Sequence, residues 1–98
     1  MKNLNVAIVG LMPWQASKVE SNYGKEIDLR FIETDTAPSR ASSIAQSSDH
    51  VILMTKFIPH GIQNALRGHD GLAFCNGGVS SVNAQLDELL KQQKSLSL

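Results

Sequence analysis

The residues best suited to chemistry lie in the stretch Cys75-Asn76-Gly77-Gly78-Val79-Ser80-Ser81. Two glycines let a turn bring backbone N–H groups close to a ligand, and two serines add hydroxyls at the head of the segment that follows. Such a turn between a strand and a helix is a cradle for an anion, above all a phosphate. Three other places carry complementary groups. Gly10 ends an apolar run and precedes Met12-Pro13-Trp14, where an indole could stack on a base. Arg40 follows Thr34, Asp35 and Ser39, and Thr55, Lys56 and His60 follow the run Val51 to Met54. The candidate ligand-binding set is therefore Gly10, Trp14, Arg40, Thr55, Lys56, His60, Asn76, Gly77, Gly78, Ser80 and Ser81.

Each candidate also has a plainer role. Gly77 and Gly78 serve any tight turn, with Ser80 as a helix cap. Arg40 and Lys56 are ordinary surface charges. Trp14 packs in many folds, and His60, just after Pro59, makes local hydrogen bonds at a helix start. Asp35 is a natural cap, although with Glu33 it could also bind ribose hydroxyls. The dinucleotide fingerprint G-x-G-x-x-G is absent, because Met12 and Gln15 stand where it needs glycine.

Other chemistries find less support. Cys75 is followed by no arginine, unlike the nucleophilic loop of cysteine phosphatases, so it reads as a buried thiol at the end of a strand. His50, His60 and His69 lie in different elements without metal-ligand spacing, and no metal or cofactor is expected. Asp87 and Glu88 fall on the polar side of a helix and read as solubility.

The elements that must position these residues follow from periodicity. Leu4 to Val9 and His50 to Thr55 are continuous apolar runs, as in strands buried on both faces of a parallel sheet. Ile27 to Glu33 alternates, with Ile27, Leu29 and Phe31 on one side and Asp28 and Arg30 on the other, as in an edge strand. Gly71 to Cys75 is the last strand. Helices are predicted from Pro13 to about Tyr23, with Gly24 as a left-handed terminator, over Ala41 to Ser48, and from Pro59 to Gly68. The last runs through Val82, Leu86, Leu89 and Leu90, with a fraying tail from about residue 91 to residue 98.

Strand then helix, four times over, predicts one α/β domain over residues 1–98: a four-stranded parallel sheet in the order 2-1-3-4 with helices on both faces, a truncated flavodoxin-like or Rossmann-like fold. The rim beyond the carboxyl ends of the strands would then gather all the candidate residues. The short apolar last strand would be an exposed edge, and a homodimer or larger homo-oligomer is expected from it.

Composition sets the outer bounds. The chain has 98 residues, 42% hydrophobic and 18% charged, enough for one core. Formal net charge is zero, so bulk attraction to nucleic acid or to an anionic membrane is not expected. One cysteine, no apparent signal peptide and no membrane-length apolar run point to a cytoplasmic protein.

The second half resembles a family of small Rossmann-like proteins known chiefly as a domain of unknown function. The resemblance is carried by Asp49-His50-Val51-Ile52-Leu53-Met54-Thr55, by His60, and by Gly77-Gly78-Val79-Ser80-Ser81. Val6-Ala7-Ile8-Val9-Gly10 and the Tyr23-Gly24 helix end extend it into the first half, where Gly10-Leu11 replaces the usual glycine pair. The resemblance implies the fold and supplies no activity.

A site without an evident nucleophile points first to non-catalytic binding of an anionic small molecule, a nucleotide or another phosphorylated metabolite. One form would be a phage-type sponge that sequesters a nucleotide immune signal. The alternatives are an enzyme acting on a phosphate ester or glycosidic bond with His60 as acid or base, and an interaction module that uses the exposed edge strand.

Overall fold

A computed structural model describes residues 4–55 and 59–96. The elements alternate as β1 (Asn5–Val9), α1 (Pro13–Tyr23), β2 (Asp28–Ile32), α2 (Pro38–Gln46), β3 (His50–Met54), α3 (His60–Leu66), β4 (Leu72–Cys75) and α4 (Val79–Leu96). The strands form one parallel sheet in the expected order β2-β1-β3-β4. Right-handed crossovers then place α1 and α4 on one face and α2 and α3 on the other, and each pair packs together.

Burial follows the sequence pattern. In β1 and β3 every residue after the first is buried, so the two continuous apolar runs are the central strands. They pair from Val6 with His50 to Val9 with Leu53. The helices close the core with Val19, Ala41, Ala45, Ile62, Leu66, Val82 and Leu86. The outer strands carry exposed positions, Arg30 in β2 and Ala73 and Phe74 in β4.

Polar clamps pin the elements at the end of the sheet opposite the candidate rim. Asp49 accepts the Asn5 N–H through Oδ2 at 2.9 Å, while its own N–H donates to the Asn5 carbonyl at 2.8 Å. The acid of the resemblance pattern thus locks β3 to β1. His69 Nδ1 accepts the Gly71 N–H at 2.9 Å, which requires the ring proton on Nε2, and Nε2 donates to the Ser48 carbonyl at 3.1 Å. That neutral tautomer ties the entry of β4 to the turn before β3.

The structure corrects several local expectations. Gly24 ends α1 in right-handed geometry, φ −60°, so it is no left-handed terminator. The cap of α2 is Ala37 with Pro38 in the first turn, and Asp35 does not cap it. Fixed proline φ presets that helix start without a side-chain acceptor. The helix α4 continues to Leu96, through most of the stretch expected to fray. Trp14 does not take the plainer role of packing: it is 58% exposed on α1, with the Lys18 ammonium 5.9 Å from its ring centroid.

Asp87 is not a solubilising charge alone. The Tyr23 hydroxyl donates to Asp87 Oδ1 at 2.7 Å, with the Asn83 carbonyl a second acceptor at 3.1 Å, and so joins α1 to α4. Burial, the Asp87 hydrogen bond and the nearby Asp87 and Glu26 charges push the Tyr23 phenol up to about 12 from its ordinary 10.0. The unfolded chain ionises this phenol first. Its contribution to stability is therefore complete below pH 10 and is lost as pH rises from 10 toward about 12. Tyr23→Phe should cost about 1 kcal/mol at neutral pH. In denaturant titrations the gap between wild type and variant should narrow across that alkaline window; a constant gap would place the phenol outside the α1–α4 contact.

Candidate functional site

Between β1 and β3 the sheet reverses its direction of growth. The chain leaves β1 toward β2 and leaves β3 toward β4, so the two exit loops diverge and leave a crevice. There the structure holds a cleft of about 230 Å³. Gly10, Met12 and Gln15 form one wall, and Met54, Cys75, Asn76, Gly77 and Gly78 the other.

The β1 wall begins at Gly10, whose φ of 98° lies in the left-handed region that side chains avoid. The turn lets the Gly10 N–H donate to the Ile32 carbonyl at 3.0 Å and swings the chain across the cleft into α1. At the start of α1 the Trp14 N–H has no partner among the described residues, but the positions beside it are provided for. Pro13 in its first turn has no N–H, and Gln15 Oε1 accepts the Met12 N–H at 3.0 Å. A backbone N–H can only donate, so the Gln15 amide is oriented with its oxygen inward and its Nε2 unpartnered among the described residues.

The opposite wall ends at the head of α4. The Gly78 carbonyl accepts from the Ser81 and Val82 N–H groups at 3.1 and 3.2 Å and stands at the cap. Ser80 therefore lies inside the helix and is no cap. The N–H groups of Val79 and Ser80 carry no partner among the described residues, at the positive end of an 18-residue helix. Asn76 Oδ1 accepts from the Thr55 hydroxyl at 2.5 Å, which leaves Asn76 Nδ2 as an unpartnered donor among the described residues. Thr55 thus acts on the cleft through Asn76, and its N–H and hydroxyl also reach the Cys75 carbonyl at 3.0 and 3.3 Å.

Gly77 is required by space and not by a left-handed turn. A Cβ there would stand 1.9 Å from Ser81 Oγ and 2.7 Å from Ser81 Cβ. Ser81 is folded against the glycine, bracing the loop against the first turn of the helix. Cys75 is buried as expected, and its Sγ makes only a weak contact with the Gly77 carbonyl at 4.0 Å.

A second, larger cleft of about 500 Å³ shares Gly10 and Met12 with the first and continues over Leu11 and Pro13 to Glu33, Thr34 and Asp35. Its two carboxylates make it acidic, whereas no described residue lining the first cleft is charged.

Of the candidate residues, the structure brings Gly10, Asn76, Gly77 and Gly78 into one cleft, with Thr55 and Ser81 directly behind them. Ser80 stands exposed at the α4 head. Arg40 and His60 are exposed at the starts of α2 and α3, on the other face of the sheet, and neither lines either of these two clefts. Trp14 projects outward beside Lys18. Lys56 lies outside the described residues.

Met12, Gln15 and Met54 line the cleft without having stood out in the sequence. Gln15 did carry a signal, since it occupies the third helical position, where a capping glutamine reaches back to the residue before the helix. Among the described residues no three of His, Cys, Asp and Glu converge on a metal position, and no helix is long and apolar enough to cross a membrane. No protein-family model, curated protein or solved structure matches the chain.

The Gly77–Ser81 contact is directly testable. Gly77→Ala should destabilise by about 1–3 kcal/mol, as overpacked sites do. Adding Ser81→Gly, which removes both clashing atoms, should restore part of that loss in a double-mutant cycle of melting temperatures. Simple additivity would mean that the loop is not braced on Ser81.

Proposed function

We propose that the protein binds a nucleotide or another phosphorylated small molecule and holds it without converting it. The observation that carries this reading is the polarity of the switch-point cleft. Two unpartnered side-chain donors border it, the amide nitrogens of Gln15 and Asn76, and the free backbone N–H groups at the head of α4 follow directly after its last lining residue, Gly78. Donors without a fixed countercharge suit a ligand rich in acceptors, and a helix head favours an anionic one. The acidic neighbouring cleft would disfavour phosphate, but Glu33 and Asp35 suit sugar hydroxyls. A nucleotide would then lie across Gly10 and Met12, phosphate toward Gly77 and Gly78, ribose toward Glu33 and Asp35.

Nothing in this cleft calls for turnover. Among the described residues no basic side chain lines the cleft beside Cys75, and His60 is not one of its lining residues. Sensing or sequestration of the ligand, the phage-type sponge included, is the role such a site serves. The resemblance to the small Rossmann-like family is compatible with this reading and adds no activity to it.

One observation favours a second reading, assembly through the sheet edge. Phe74 is 61% exposed on β4, an edge strand without charge, proline or bulge to blunt it. Its outward carbonyl is covered only by Gln85, whose Nε2 donates to it at 3.2 Å. A homodimer through β4 would bury the ring and replace that single bond.

A thermal-shift series with inorganic phosphate and with mono-, di- and cyclic nucleotides tests the first reading. A bound species at a hundred times its dissociation constant should add about 2.7 kcal/mol of stability. Asn76→Asp, which puts a negative charge in the donor cleft, should abolish the shift while the unliganded melting temperature changes little. If no anion stabilises the wild type, the reading fails; a ligand recovered chemically altered would turn it toward catalysis. For the edge, sedimentation velocity should show a dimer for the wild type and a monomer for Phe74→Glu. A wild-type monomer at tens of micromolar would dismiss assembly through β4.

A further inference from the structure

The lining of the switch-point cleft contains a coincidence that phosphate binding does not use. The chain has one cysteine and three methionines. The cysteine and both described methionines, Met12, Met54 and Cys75, line this one cleft of about 230 Å³. Among the described residues no histidine or carboxylate lines it with them. We propose that the cleft floor is a site for a soft monovalent metal ion, Cu(I), held by the Cys75 thiolate and the thioethers of Met12 and Met54.

The chemistry follows from ligand softness. Thiolate and thioether sulfur select Cu(I), whereas magnesium and calcium need oxygen ligands that the lining side chains do not assemble. Depth is suitable too. Cys75 is 2% exposed and Met54 is 7% exposed, so two donors are sheltered from solvent at the cleft floor. Met12, 61% exposed, comes from the opposite wall on a long flexible side chain. Packing accounts for the buried pair as adaptable apolar filler. Met12, just before the first turn of α1, borders this cleft and the acidic one, which leaves its exposed thioether at the rim. The thiol is held only by its weak contact with the Gly77 carbonyl at 4.0 Å, so a metal would displace no strong bond.

Binding is a simple exchange. The thiol proton leaves to solvent, a copper–sulfur bond forms in its place, two thioethers complete the set, and copper stays in the +1 state throughout. One positive metal and one thiolate leave the floor neutral, so the donors of Gln15, Asn76 and the α4 head keep their character. The inference is independent of the phosphate reading, which the nucleotide series judges separately.

The test is competition for Cu(I) against bicinchoninate, anaerobically with ascorbate, followed by the loss of the coloured probe complex. Wild-type protein should withdraw one Cu(I) per chain, and its affinity should rise with pH because the thiol proton must leave. Changes in the outer shell of a metal site already cost roughly 10- to 100-fold in affinity. Cys75→Ser should therefore lose at least that much, and Met54→Leu and Met12→Leu should each fall measurably, with circular dichroism confirming the fold. Retention of wild-type affinity by both methionine variants would reduce the site to a lone thiol and overturn the proposal. So would unchanged binding in Cys75→Ser, or a wild type that takes no metal from the probe.

Discussion

The parallel pairing of β1 with β3 is the constraint on which the rest of the structure depends. These are the two strands buried on both faces, and their ladder from Val6–His50 to Val9–Leu53 is the centre of the sheet. Once they are neighbours, β2 and β4 can only add outside them. The exit loops of β1 and β3 must then run in opposite directions, and the crevice between them is a consequence of connectivity. A fold of 98 residues obtains a ligand-sized cleft without an inserted domain.

The two ends of the sheet are built differently. At the amino ends of the strands, polar groups are spent on each other: Asp49 with Asn5, and His69 between Ser48 and Gly71. Farther along α4, Tyr23 bridges Asp87 and Asn83. At the carboxyl ends near the cleft, hydrogen bonds orient groups without exhausting them. Gln15 and Asn76 each use the amide oxygen locally and keep the nitrogen. The head of α4 keeps two N–H groups, while α1 starts on a proline without one and keeps the Trp14 N–H.

Glycine serves two distinct purposes on this rim. Gly10 is needed for its left-handed φ, which turns the chain across the cleft. Gly77 is needed because Ser81 occupies the space a side chain would take. Both look alike in a sequence, since a glycine next to a strand end signals a turn without saying which demand it meets.

The fold was legible because burial on two faces writes itself as continuous apolar runs, while edge strands alternate or shorten. The runs Val6–Val9 and Val51–Met54 named the central strands, and short connections with right-handed crossovers left little freedom in their order. Of the cleft lining, Gly10, Asn76, Gly77 and Gly78 stood out in the sequence, Gly10 and Gly77 because the backbone there demands glycine. Side-chain partners were not legible, because Met12, Gln15 and Met54 become one wall or another only when the segments after β1 and β3, remote along the chain, are folded together. Arg40 and His60 failed as lining residues for the same reason: the sequence places them after strands, but the hand of the crossovers puts their helices on the far face. The sequence by itself determined which strands are central and where the backbone must turn, since those follow from local periodicity and sterics. Tertiary structure alone decided which side chains meet in the cleft and that their unpartnered groups there are donors, since both depend on contacts between segments remote along the chain.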